Sequence, residues 1–422
     1  MREACMFGRR SSEDIIVGLD IGTSKVCVVV AEKDENGEIK IIGSGIRPSH
    51  GLRKGLVVNV ESTVESIIEA VADAEKMSKT EIHSVYASIT GSHIKSINSR
   101  GSTAITSRDG VVTDNDIKRV IDKACEISLP PGKDVIHSLP QEYLVDGQDG
   151  IKNPKGMMGN QLDVDVYIIA GSVASERNIV KTITNAGFEV EGLVVQSLAS
   201  SIVALKQEER DSGVLLIDMG GGTTDIIVFI DGLVRHSEVI SIGGDHVTND
   251  ISIGLKVSVP IAARIKRKHA CALKSMVGRD EEFFVEGAIG KNKIRMSRKK
   301  LSEIVEMRME ETFGIIRKRV ERYEGLLSSG AVLTGGCSNL PGVQDLAKSK
   351  LKMPVRIGKP LEVSGLAEIL DSPVYTTCVG LVKFGFIYGS ELKYFSFSPI
   401  NLLKKVFSYG SSLFRRKIFY KR

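Results

Sequence analysis

A chain that writes one unusual turn twice, half its length apart, has few folds open to it. Residues 18–31, "GLDIGTSKVCVVVA", and residues 215–229, "LLIDMGGGTTDIIVF", each carry an apolar strand into an Asp-x-Gly turn and leave through a second β-branched strand. A hairpin and a third strand follow each copy, at "IIGSGI" in the first and "SEVISIGG" in the second. Asp20 and Gly22 thus answer to Asp218 and Gly220. Such a repeat implies a duplicated α/β fold whose halves face each other across a cleft, each supplying one glycine turn. At 422 residues the chain has room for both halves and for insertions.

The turns have the chemistry of a phosphate clamp. Glycine leaves backbone N–H groups open to close approach and allows positive-φ turns that aim successive N–H groups at one anion. Gly22 in the first copy and Gly220, Gly221 and Gly222 in the second are placed for this. A carboxylate beside phosphate repels it, so Asp20 and Asp218 fit a different task, holding Mg²⁺ mainly through its waters. Lys25 would offset phosphate charge, and Thr23, Ser24, Thr223 and Thr224 offer hydroxyls. Gly335 and Gly336, in "VLTGGCSNLPGV", form a third turn between an expected strand and helix, suited to a nucleotide's sugar and base. One such turn alone is equally well a tight hairpin holding nothing. Two at repeat-related positions with a third behind them are hard to explain that way. The chain has no G-x-x-x-x-G-K-[ST] and no G-x-G-x-x-G opening a helix after its first strand.

Between the copies the pattern changes. Residues 60–77 place Val60, Val64, Ile67, Ile68, Val71 and Ala74 on one helical face. Residues 82–163 read as a separate block with strands at "VYASIT" and "HIKSIN" and a helix capped by Thr113 or Asp114. The glycine-rich "DGQDGIKNPKGMMGNQ" reads as a surface loop. A strand at "VDVYIIAGSVA" is expected to resume the core, followed by a helix that Gly187 closes. Residues 245–323 form a mostly helical, basic insertion.

Several functions are excluded by what is missing. Six scattered cysteines without a C-x-x-C pair argue against zinc or a disulfide framework and for a reducing, cytosolic compartment. The seven histidines show no H-x-x-x-H and no paired cysteine, so surface or structural roles are expected. The N-terminal stretch lacks the apolar core of a signal peptide, and no run of about 18 apolar residues is present. A net charge of only +5 does not mark the whole chain as a nucleic-acid binder.

"GLDIGTSK", "IHSLPQEYLVDGQDGIKNPKGMMG", "LIDMGGGTTDI", "IKRKHACAL" and "VLTGGCSNLPGV" occur in that order between about residues 14 and 388. In these segments the chain resembles the actin-like ATPase superfamily and, within it, the FtsA family of bacterial cell-division proteins. The second and fourth segments are not general to the superfamily. The resemblance implies an α/β, actin-like (duplicated RNase H-like) ATPase fold with four subdomains and a C-terminal amphipathic helix. Residues 14–83 with 164–194 would form the first half, and 84–163 an inserted subdomain particular to the family. Residues 195–238 with 326–388 would form the second half. Residues 239–325 would cap the nucleotide and dock FtsZ, 389–400 would be a linker, and 401–422 the membrane-targeting helix. By motif position ATP and Mg²⁺ would be held by Asp20, Gly22, Thr23, Ser24, Lys25, Asp218, Gly220, Gly221, Gly222, Thr223, Gly243, Gly244, Gly335 and Gly336. Gln196 and Asp225 stand where relatives position the attacking water, although turnover in the family is weak and variable. Lys266 and Lys268 lie on the insertion's first helix, where contact with adenosine competes with a solvated face. Arg308 lies in a basic stripe with Lys299, Lys300, Arg317, Lys318 and Arg319. It is the resemblance's candidate for an acidic-apolar C-terminal peptide of FtsZ.

After Glu391 the sequence has no acid. Leu402, Leu403, Val406, Phe407, Leu413, Phe414 and Ile418 share one face at helical spacing, and Lys404, Lys405, Arg415, Arg416, Lys417, Lys421 and Arg422 supply the charge. That is the profile of a helix lying in an anionic membrane surface. A packed terminal helix needs no such charge, and a nucleic-acid tail needs no aliphatic face. The expected protein is an ATP-binding, self-polymerising adaptor on the cytoplasmic side of the membrane at the division site, contacting FtsZ and other division proteins. A pilus-assembly actin homologue is the nearer alternative. A sugar-kinase-type phosphotransferase lacks a general base in the sequence and leaves the inserted block and the tail without use.

Overall fold

Residues 26–31 and 214–219 are buried at every position. Strands buried on both faces belong at the centre of covered sheets. The computed structural model, which describes residues 15–34, 37–286, 293–366, 369 and 371–389, places them in two sheets of one plan. In the first, β1 (Ile15–Ile21), β2 (Lys25–Lys33) and β3 (Ile39–Pro48) form an antiparallel meander. β6 (Ser84–Ile89) lies parallel to β1, β11 (Glu189–Val195) parallel to β6, and the two-residue β19 (Ser364–Gly365) edges β3. In the second, β12 (Val214–Met219), β13 (Thr224–Ile230) and β14 (Leu233–Ile240) form the meander. β17 (Ala331–Thr334) and β18 (Val355–Ile357) continue it in parallel from β12. The orders β11-β6-β1-β2-β3 and β18-β17-β12-β13-β14 match strand for strand. The register is equivalent too: Asp20 faces Cys27 across the first hairpin, and Asp218 faces Asp225 across the second.

The chain divides into two compact units, one running to Ile94 and again from Ser175 to Ile387, the other beginning with Lys95–Ala174. The first holds both sheets with α1 (Val60–Ser78), most of α3 (Val173–Asn185), α4 (Gln196–Ala204), α5 (Gln207–Ser212) and α10 (Thr376–Tyr388). A short pairing of β4 (Leu52–Arg53) with β5 (Leu56–Val57) leads from β3 into α1. The insertion after β14 contains α6 (Gly244–Leu255), α7 (Val259–His269), the antiparallel pair β15 (Glu282–Glu286) and β16 (Lys293–Ser297), and α8 (Arg298–Val320). α9 (Val343–Leu351) follows β17. The second unit is an antiparallel sheet ordered β7-β10-β8-β9, with α2 (Asp114–Cys125) packed on it. Its strands are β7 (Lys95–Ala104), β8 (Lys133–Val145), β9 (Gln148–Ile151) and β10 (Gln161–Ser172).

The structure corrects several expectations. α1 buries Thr63, Ser66, Ile67, Ala70, Val71, Ala74 and Ser78, whereas Ile68 is exposed and Val64 only half-buried. Small residues win that face because the helix sits directly on β3. A Cβ on Gly45 would lie 1.9 Å from the Ala70 carbonyl oxygen, and one on Gly43 2.7 Å from Ser78 Cβ. β6, expected to open the inserted block, pairs with β1, while β10, expected to resume the core, runs between β7 and β8. The supposed surface loop contains β9, and β8 carries Pro140 at a register shift where the ladder is already interrupted. Thr113, not Asp114, caps α2 in a reciprocal box with Asp116. The β15–β16 pair is an addition to an insertion expected to be mostly helical. Among the described residues no helix is long and apolar enough to cross a membrane. The tail residues Leu402, Leu403, Lys404, Lys405, Val406, Phe407, Leu413, Phe414, Arg415 and Arg416 lie outside the described residues.

Candidate functional site

Both central hairpins close in the same way. The Gly22 N–H donates to the Lys25 carbonyl and the Gly220 N–H to the Thr223 carbonyl, each at 2.9 Å. The turns meet tip to tip. A Cβ on Gly221 would fall 2.8 Å from Ser24 Cβ, and one on Gly222 2.5 Å from Thr23 Oγ1. Contrary to expectation, none of Gly22, Gly220, Gly221 and Gly222 has a positive φ. In this structure the missing side chains of Gly221 and Gly222, and no left-handed backbone, let the tips approach. Gly335 is the exception, with φ 83°, and a Cβ there would meet Asp218 Oδ1 at 2.4 Å. A Cβ on Gly336 would meet nothing, so that face is open.

The start of α6 braces the second turn. The N–H groups of Gly244 and Asp245 donate to the carbonyls of Gly220 and Gly221 at 3.0 and 2.8 Å. Any side chain on Gly243 would collide with those same carbonyls. Lys266 reaches from α7 to the Gly244 carbonyl at 2.6 Å. Lys268, by contrast, lines a separate cavity with Arg264, His269 and Phe284.

Three buried carboxylates stand at the strand ends behind these turns, 4, 1 and 0 % exposed at Asp20, Asp218 and Asp225. Asp20 is neutralised within its own hairpin, by Lys25 Nζ at 3.1 Å, and Ser88 Oγ donates to its other oxygen at 2.8 Å. Burial works against the Lys25 charge, yet the charge and hydrogen bond of Asp20, with Cys27 and Cys378 adding to them, together hold the ammonium above its ordinary range. Asp218 accepts from Ser200 Oγ and from Thr377 Oγ1, the latter at 3.0 Å, with the Gln196 side chain also favouring its ionised form. Burial nonetheless pushes its proton affinity up, and the negative charge of Asp20 adds to this. Asp225 accepts from Thr90 Oγ1 at 2.6 Å. Burial first, and repulsion from Asp218 and Asp20 with it, push its pKa up to about 8. Asp218 Oδ1 and Asp225 Oδ2 are buried and accept no hydrogen bond.

Buried acids with idle oxygens and raised proton affinity form a donor set that a hydrated divalent cation would complete. Among the described residues no group of three or more His, Cys, Asp or Glu is arranged to hold a metal ion. A cation here would therefore complete its shell with water or a ligand's oxygens.

The structure thus gathers Asp20, Gly22, Thr23, Ser24, Lys25, Gln196, Asp218, Gly220, Gly221, Gly222, Thr223, Asp225, Gly243, Gly244, Gly335 and Gly336 around the two turns. Arg308 is elsewhere, on α8, where its guanidinium pairs with Asp250 of α6 and with Glu311. Ser88, Thr90, Ser200 and Thr377 were not singled out in the sequence, although each hydroxyl holds one of the three acids. Ser88 and Thr90 lie on and just after β6, whose place beside β1 the sequence did not indicate. β1 and β6 run in parallel, with Leu19 beside Ala87, and one residue further on Ser88 Oγ reaches Asp20. Ser200 and Thr377 come from helices that sequence spacing does not align with Asp218.

Two equivalent sheets, each ending in an acid-bearing hairpin at one cleft, are the signature of the actin-like ATPase fold. The solved PilM–PilN type IV pilus biogenesis complex matches this chain with a TM-score of 0.63 at 17% identity, covering 88% of this chain and 98% of that one. MreB5 of Spiroplasma citri bound to ADP matches with a TM-score of 0.54 at 12% identity, covering 90% and 98%. At the sequence level the model of "Cell division protein FtsA" matches residues 215–380, and that of "SHS2 domain inserted in FTSA" matches residues 91–170. The cell division protein FtsA of Pseudomonas aeruginosa is 42% identical over 376 residues, 89% of this chain and 90% of the relative. That of Borreliella burgdorferi is 40% identical over 401 residues, 94% and 95%. The chain belongs to the FtsA family of cell division proteins, and its role lies in cell division.

Proposed function

We propose that this protein is an ATP-binding, self-polymerising adaptor that anchors the FtsZ ring to the cytoplasmic membrane and helps to assemble the septal machinery. The observation that carries the nucleotide reading is the pair of idle buried oxygens, Asp218 Oδ1 and Asp225 Oδ2, beside two glycine turns that meet tip to tip. ATP with Mg²⁺ would supply the positive charge these acids lack and the phosphates that backbone N–H groups of the turns receive. Asp20 and Asp218 would hold the metal through its waters, while Lys25, Thr23, Ser24 and Thr223 would contact phosphate. Gln196 and Asp225 would orient a water. Gly335 and Gly336 would leave space for the sugar and base.

The nucleotide acts chiefly by fixing cleft closure, and so subunit shape, because a ligand shifts a two-state body only by its differential affinity. ATP turnover is weak. The insertion at 239–325 docks the FtsZ C-terminal peptide, with Arg308 exchanging an internal carboxylate for one on the peptide. Residues 401–422 lie in the anionic membrane surface as an amphipathic helix. Vesicle co-sedimentation with and without ATP, FtsZ and residues 400–422 tests the reading. Full-length protein should bring FtsZ down with anionic vesicles, and the truncated protein should stay in solution with nucleotide binding intact. Pelleting by the truncated protein would overturn the tail assignment, and no recruitment of FtsZ by the full chain would overturn the adaptor role.

A further inference from the structure

The connection from β3 to α1, residues 49–59, forms a strap against the two glycine turns. Its base is pinned: Val58 and Asn59 N–H groups donate to the Gly51 carbonyl at 2.8 and 3.0 Å. Its tip is the turn between β4 and β5, and it touches three parts of the cleft at once. The Gly55 N–H donates to Thr23 Oγ1 of the first turn at 3.1 Å. A Cβ on Gly222 of the second turn would lie 3.0 Å from the Lys54 Cα and N. A Cβ on Gly55 would lie 2.9 Å from Cγ2 of Thr90, the residue whose hydroxyl holds Asp225.

Chemistry and backbone single out Lys54 within this strap. Residues 46–58, "IRPSHGLRKGLVV", contain two arginines, a histidine and a lysine but no acid. Arg53 and Lys54 are exposed, and among the described residues no ion pair involves either. Lys54 holds a left-handed backbone, φ 51°, that glycine or asparagine adopts more cheaply. Lys79, Lys256 and Lys352 take the same form where they end helices, but Lys54 ends none. An exposed cation on a left-handed backbone, whose main chain packs on the second turn while the next N–H binds the first, is placed for a ligand more anionic than a hairpin tip.

We infer that the strap, through Lys54 and the Gly55 N–H, reads the terminal phosphate of a nucleoside triphosphate and so sets the preference for tri- over diphosphate. This rests on the nucleotide reading of the cleft. The Gly55 N–H now donates to the Thr23 hydroxyl oxygen, and both groups become donors to the same anion when it arrives. The Lys54 ammonium adds a charge-assisted bond that a diphosphate, ending short of the strap, does not reach.

The test measures binding of ADP and of the non-hydrolysable AMPPNP, each with Mg²⁺, to full-length wild type, Lys54→Asn and Lys54→Gly. Both variants accept the left-handed backbone, so folding is preserved while the charge is lost. Expected is a loss of about tenfold in AMPPNP affinity in both variants, with ADP affinity unchanged within about twofold. Trypsin cuts after Arg53 and Lys54, which gives a second readout without turnover. In the wild type AMPPNP, but not ADP, should slow cleavage there several-fold. Equal losses for both nucleotides, or no loss, overturn the inference while leaving the cleft's nucleotide role standing. Wild type that binds neither nucleotide overturns both.

Discussion

The two central hairpins share a plan and differ in charge. In each, an aspartate ends the first strand and a Gly N–H closes the turn at 2.9 Å. The first carries its own cation, Lys25, against Asp20, and places the small neutral Cys27 across from that acid. The second has a glycine-rich tip with no cation and places Asp225 across from Asp218. The parallel neighbour differs as well. In the position next to Asp20, Ser88 donates to the acid, whereas in the equivalent position next to Asp218, Thr334 turns its hydroxyl to Thr376 and Pro373. One half of the duplication is self-sufficient, and the other is left short of positive charge. The duplicated fold thus carries unlike jaws, one neutralised and one whose two acids each keep an oxygen without a hydrogen bond.

Giving the first hairpin the second one's acid should have the largest effect. Cys27→Asp puts a carboxylate at a fully buried position in the apolar cluster it shares with Cys378 and should cost on the order of 3–5 kcal/mol, read as a fall of about 3–6 °C in Tm. Removing the first hairpin's cation is next. Lys25→Met strands Asp20, and because the lysine is itself one-fifth exposed the expected loss is about 2 kcal/mol, with nucleotide binding weakened in parallel.

Asp225→Asn should act in the opposite direction. The folded pKa of Asp225, about 8, lies above that of an unfolded carboxylate, so the folded state keeps a proton that the unfolded chain gives up. Stability without a divalent cation should therefore decline as pH rises from about 4 to about 8. The variant should flatten that slope, leaving the smaller part that Asp218 contributes, and be about 1–2 kcal/mol more stable than wild type at pH 9 in EDTA. Parallel Tm-against-pH curves for the two proteins would refute the charge deficit. The smallest effect is Thr377→Val, which takes one of two hydroxyl donors from Asp218 and should cost about 1 kcal/mol in thermal denaturation.

Much of this was legible in the sequence because it is repeated. Continuous apolar, β-branched strands around two Asp-x-Gly turns pointed to the duplicated sheets, and the same motif picked out Asp20, Asp218 and the glycines. What escaped has physical reasons. The burial of α1 on a face of Thr, Ser and Ala follows from glycines in β3, and hydrophobic spacing alone points to Val64 and Ile68 instead. β10 has the apolar run of a core strand because the second unit has a core of its own, built with Val120, Ile121 and Leu162. The positive-φ expectation failed at the triple glycine because the tips use the missing side chains for mutual approach. Ser200 and Thr377 reach Asp218 from helices brought together only by tertiary packing, where a Cβ on Gly380 would meet the Ala199 carbonyl oxygen at 2.0 Å.

Calorimetric titration of AMPPNP into the full-length protein, in Mg²⁺ and in EDTA, tests most directly whether the second hairpin waits for a cation. The wild type should bind at least about tenfold more tightly with Mg²⁺, and Asp218→Asn should lose most of that difference. Equal affinity in Mg²⁺ and EDTA for the wild type would contradict the account.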